Sequence, residues 1–116
     1  MSQEVFKSTT VHNQTACGSL FVIANFDDDG VLQGVLARLG KAGGCTSALI
    51  SAIASLVTEA IRAGANPERL GKCLEGISCY QAGAGVVSCA DAFRTSIGKA
   101  LELKKKEMLS AAGTGG

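Results

Sequence analysis

The segment CGSLFVIANFDDDGVLQGVLARL, residues 17–39, decides the fold class. Two apolar runs, Leu20 to Phe26 and Val31 to Leu39, flank Asp27-Asp28-Asp29-Gly30. Aspartate tolerates turn conformations and glycine supplies positive φ without steric cost, so the segment predicts an antiparallel hairpin with a solvent-exposed turn. The three aspartates also resemble the start of a calcium loop. The carboxylates that such a loop needs further on are missing after Gly30, and the turn reading stands. Upstream, EVFKSTTVHN (4–13) is rich in β-branched and aromatic residues and predicts a third strand.

Beyond the glycines at 43 and 44 the period of the pattern changes. Leu49, Ile53, Leu56 and Ala60 recur at helical spacing, with Ile50, Val57 and Ile61 widening the stripe; a helix over 45–63 is predicted, with this stripe on the core and Gly64 as its stop. Ser47, Ser51 and Ser55 line another face, read as solvated surface, with a helix contact between two subunits as the alternative. Asn66 as cap and Pro67 at the first position open a second helix over 67–76, whose apolar face is Leu70, Cys73, Leu74 and Ile77. A glycine-containing loop follows. The last helix is predicted over 89–108, packing through Phe93, Ile97, Ala100, Leu101 and Met108 and ending in a solvated lysine run, Lys104 to Lys106. The expected fold is α+β, a small antiparallel sheet of two or three strands on about three helices. Residues 1–14 form an N-terminal strand or arm, 15–109 the domain, and 110–116 a disordered tail.

Eleven basic and ten acidic side chains leave 116 residues almost neutral, so no field that would gather nucleic acid is implied. Aromatics are few and tryptophan is absent, which leaves little for base stacking. The first ten residues show neither a basic leader nor an apolar run, so a cytoplasmic, reducing location is expected. The uncharged stretch from Cys45 to Thr58 is ended by Glu59 and Arg62, short of the roughly 20 apolar residues of a membrane span, so a soluble protein is expected.

Five cysteines in a reducing compartment are not expected to form structural disulfides. Cys45 follows two glycines at a helix start. Ser88 and Asp91 have the spacing of a capping box, which puts Cys89 on the first helical residue. Free backbone N–H groups at such positions favour the thiolate, the form that binds metals. Cys17 and Cys79 stand at segment ends that a compact fold can bring together, whereas Cys73 lies on the apolar side of its helix and is expected in the core. The four candidates are separated by 27, 33 and 9 residues and form no C-x-x-C pair. On this pattern a four-cysteine zinc site, inert thiols and a redox pair all remain open. His12, the single histidine, is read as a surface residue.

The ordered series CGSLFVIANFDDDG, RLGKAGGC, LEGISC and SCADAF resembles the TSCPD domain, a small module found at the C-terminal end of cobalamin-dependent (class II) ribonucleotide reductases and as short stand-alone proteins. The resemblance implies a four-cysteine zinc site made by Cys17, Cys45, Cys79 and Cys89, with Cys73 outside it. It also implies a reductase catalytic subunit as partner and a role in DNA precursor synthesis. The name-giving Thr-Ser-Cys-Pro-Asp reads Val87-Ser88-Cys89-Ala90-Asp91 here; alanine still permits a helix start. The catalytic barrel of a reductase cannot be contained in this chain.

Other motifs carry less. Gly34 and Gly40 enclose five residues and Lys41 is followed by alanine, so the spacing of a phosphate-binding P-loop is absent, although Lys41, Gly43 and Gly44 could hold an anion with backbone N–H groups. A single histidine allows no serine triad, and no catalytic residue is assigned. The expected function is that of a zinc-stabilised interaction module. A thiol-redox accessory to a reductase and a small anion- or nucleotide-binding protein are the alternatives, and a homodimer is compatible with all three.

Overall fold

The structure, a computed structural model, describes residues 6–15, 18–40, 44–75, 77 and 89–114. Among them the chain forms β1 (Lys7–Thr15), β2 (Gly18–Phe26), β3 (Leu32–Gly40), α1 (Gly44–Arg62), α2 (Pro67–Cys73) and α3 (Cys89–Thr114). The three strands make an antiparallel meander in the order β1-β2-β3. The fold is α+β, with the hairpin and the third strand as read from the sequence.

The turn between β2 and β3 works through one carboxylate. Asp27 Oδ1 accepts from the N–H groups of Asp29 and Val31, both at 2.9 Å, and Oδ2 accepts from Gln33 Nε2 at 3.0 Å. Gly30 takes φ +79° and donates to the Asp27 carbonyl at 3.0 Å. These bonds occupy Asp27 within the loop, while Asp28 and Asp29 are exposed.

Strict alternation divides the sheet into two faces. Leu20, Val22, Ala24 and Phe26 are fully buried, and the paired Leu39, Ala37, Val35 and Leu32 join them on the inner face. The register shifts by one residue between Asn25 and Phe26, which keeps Leu32 inward across from Phe26. The outer face shows His12 stacked on Phe21 with ring centroids 4.5 Å apart.

Helix α3 lies across β1 and β2 and adds Ala92, Phe93, Ile97 and Ala100 to the core. Its polar contribution is equally specific. Fully buried Ser96 accepts from Asn13 Nδ2 at 2.6 Å and donates to the Ala92 carbonyl at 2.7 Å. Lys104, expected in a solvated run, is buried instead; its ammonium sits 5.1 Å from the centre of the Phe26 ring and pairs with Glu107 at 3.3 Å. The long stem lies on the end of the core while the charge finds an aromatic face and a carboxylate. Helix α3 also continues to Thr114, past the predicted end and into the segment expected to be a tail.

Helix α1 packs on β3, and the side that it buries differs from the expected stripe. Ile50, Ala54 and Val57 are buried, with Ile53 and Ile61 packed partly against them, whereas Leu49 and Leu56 face outward. The reason lies in the edge of the sheet. The Thr58 hydroxyl accepts from the Val35 N–H at 3.0 Å, and its acceptors are the carbonyl oxygens of Val35 (3.0 Å) and Ala54 (2.9 Å). It occupies the free backbone groups of the edge strand. Gly34 makes room for it, since a Cβ there would stand 2.9 Å from the Thr58 methyl.

Helix α2 is held by Asn66, whose side chain accepts from the N–H groups of Glu68 and Arg69. It rests on α3, and Leu70 and the cap residue Leu74 pack against the core. Cys73, expected in the core, is exposed, and its Sγ approaches only the Arg69 carbonyl of its own helix at 3.5 Å. Leu70 and Leu74, four residues apart, set the side that packs against the core, and Cys73 falls off that line.

Candidate metal centre

Both long helices start at the same end of the sheet. Asn13, paired with Leu20, meets Ser96 of α3, whereas Phe26 lies under Lys104 and Gly30 lies against Met108. Helix α3 therefore runs from the Thr15–Gly18 end of the sheet towards the Asp27–Gly30 end. Its first residue, Cys89, precedes Ser96 by seven positions, about 10 Å at 1.5 Å per residue, on the side of the β1–β2 connection. Helix α1 runs antiparallel to β3, with Ser47 and Ser51 beside Arg38 and Gly40, and Thr58 beside Val35. Its N-terminus also sits at the Thr15–Gly18 end, because Ser19 pairs with Gly40.

The ends of β1 and β2 are joined by a further bond here. Thr15 Oγ1 donates to the Gly18 carbonyl at 2.9 Å, and Gly18 takes φ +132°. A Cβ on Gly18 would run into the carbonyl oxygen of Gly40, so glycine after Cys17 lets β3 close up on the hairpin. Gly18→Ala is expected to destabilise the fold by about 2 kcal/mol or more, through the strained φ and the displaced strand, as read by urea denaturation.

The predicted site residues fall out as follows. Cys45 is a free, exposed thiol in the first turn of α1, and Cys89 is the first residue of α3, as the capping-box spacing predicts. Cys17 lies outside the described residues, between Thr15 and Gly18, which are both at this end. Cys79 also lies outside them. Lys41 and Gly43 of the anion-binding reading lie outside them as well, and Gly44 is the first residue of α1. Among the described residues no three His, Cys, Asp or Glu side chains come together as a metal-binding group. His12 is on the outer face, stacked on Phe21.

Two helix N-termini lie at this end; α1 has no acidic residue in its first turn, and α3 has Asp91. Sequence reasoning missed the part played by Gly18, whose need appears only when β3 is placed beside it.

A family model of the TSCPD domain matches residues 2–105. The chain belongs to the TSCPD domain family. The match takes in β1, the segment set apart in the sequence as a strand or arm, and runs into α3, so the family unit is the whole sheet with its helices. No curated protein matches this TSCPD chain, and no solved structure does.

Proposed function

We propose that this TSCPD domain is a zinc-stabilised interaction module that assists a ribonucleotide-reducing catalytic subunit in DNA precursor synthesis. Cys17, Cys45, Cys79 and Cys89 are the ligands in this reading. The observation that carries it is the common placement of the β1–β2 connection and the starts of α1 and α3 at one end of the sheet. Zinc held by four thiolates has no open position for an activated water, so it supplies cross-linking of these segments and no hydrolytic chemistry. The chain's own part is to bring the thiols together: Gly18 closes the hairpin on β3, and α1 and α3 carry Cys45 and Cys89 at their starts.

Two measurements test the proposal. Elemental analysis of protein purified under reducing conditions is expected to give about one zinc per chain, while a metal-free, folded and readily oxidised protein would favour the thiol-redox alternative. Ribonucleotide reduction is expected to be absent with this chain, cobalamin cofactor and a dithiol, and to be stimulated only when a separate catalytic subunit is added. Turnover by the chain alone would refute the module reading.

A further inference from the structure

The two edges of the sheet end differently. On β3 the Thr58 hydroxyl bonds both backbone groups of Val35, so Val35 points its N–H and C=O away from β2. Opposed residues of an antiparallel pair either face each other or both turn away, so Ala24, the partner of Val35, turns its own groups towards Thr9 of β1. Thr9, Val11 and Asn13 therefore bond β2, and Ser8, Thr10, His12 and Gln14 aim their N–H and C=O out of the sheet. All four are exposed, and these backbone groups have no partner among the described residues. Helix α3 covers the inner face of β1 and leaves this edge open. The usual protection of an edge is also missing. Strand β1 pairs with β2 in unbroken register, and from Ser8 to Gln14 it carries no proline, lysine, arginine or carboxylate.

We propose that this edge pairs antiparallel with the same edge of a second copy, joining two sheets into one across a two-fold axis at Val11. With the axis there, Thr10 stands opposite His12 of the second copy and Ser8 opposite its Gln14, so each outward N–H meets an outward C=O. Val11, which packs against the core, meets its own image at the closer spacing of a non-hydrogen-bonded pair. The strand's own charge pattern selects a second copy. Lys7 is the one formal charge of β1, and this register sets it opposite Thr15 of the second copy, where it meets no like charge. That is the end of the sheet where the zinc reading above gathers four thiolates, so the lysine finds the opposite sign; the backbone pairing stands without that reading. Assembly also closes at two, because pairing uses up β1 and Thr58 already fills the β3 edge. One strand pair is smaller than a standard interface of about 800 Å² per partner, which places the dimer in a weak regime, with Kd on the order of 10 μM.

Sedimentation equilibrium of the full chain between about 1 and 300 μM tests this, the range bracketing a weak interface. Wild type is expected to pass from monomer to dimer and to stop there. Thr10→Pro removes an outward N–H and leaves the bonds to β2 in place, so it should raise Kd at least about 30-fold with far-UV circular dichroism unchanged. Thr10→Lys keeps the N–H and sets a charge diagonally across the axis from its own image, which should raise Kd about fivefold. This second variant decides the matter should the proline variant unfold. Amide exchange followed by NMR at the top of the range should be slowed about fivefold at Thr10 and His12 relative to the dilute chain. A wild type that stays monomeric, or that grows beyond dimers, overturns the proposal, as does undiminished dimerisation of either folded variant. Protection of these amides only when an unrelated extended peptide is added would assign the edge to a foreign strand and overturn it equally.

Discussion

Cys89→Ser is expected to empty the zinc site and to leave a chain with little or no cooperative unfolding transition. A structural four-thiolate zinc contributes on the order of 10 kcal/mol to the folding of small modules, which is comparable with the whole stability of an ordinary domain. The loss should be large here because the site would tie the starts of α1 and α3 to the β1–β2 connection, beyond the core that Leu20, Ile50, Ala92 and Phe93 already share. Cys45→Ser should behave in the same way. Cys73→Ser should leave zinc content and melting unchanged, within about 0.5 kcal/mol, since its side chain is exposed and its Sγ bonds the Arg69 carbonyl of its own helix. Zinc per chain and the unfolding transition, measured together, decide the point: loss of metal on changing Cys73, or full metal on changing Cys89, would reassign the ligands.

Phe26→Ala is expected to cost about 4 kcal/mol, with the midpoint of urea unfolding as the measurement. Phe26 is fully buried at the far end of the sheet, where it fills the space between β3 and α3. Its removal leaves a cavity and also strips the ring from beneath the Lys104 ammonium, which would then have Glu107 alone in a buried setting. Phe26→Leu retains most of the volume and not the ring face. It should recover the larger part of the loss but not all of it, and the difference between the two variants measures the lysine contact.

The hairpin, the turn, the third strand and the starts of the helices were legible because each rests on local chemistry. Asp27 and Gly30 make their turn with neighbours at most six residues away, and Asn66 caps α2 through Glu68 and Arg69. The capping-box spacing likewise placed Cys89 at the first residue of α3. The candidate site was legible only as a set of cysteines carried by a family resemblance, because its segments are separated by 27, 33 and 9 residues and no periodicity spans such gaps.

The sequence by itself determined that this chain makes a hairpin followed by helices, that Gly30 turns the chain, and that cysteines stand at two helix starts. Periodicity, turn chemistry and capping depend on residues within a few positions of one another, and each side of that balance is written in the chain. Tertiary structure alone decided which side of α1 is inside, whereas Phe93, Ile97 and Ala100 of α3 are buried as their spacing predicted. Apolar residues surround much of α1, so hydrophobicity allowed several rotations, and the choice fell to the Thr58 hydroxyl meeting the free edge of β3 over Gly34. Leu49 and Leu56 were turned outward by that contact, Cys73 was left exposed by the narrow line between α2 and α3, and Lys104 was drawn inward by the ring of Phe26. In each case a partner distant in sequence selected one face from several that the pattern permitted.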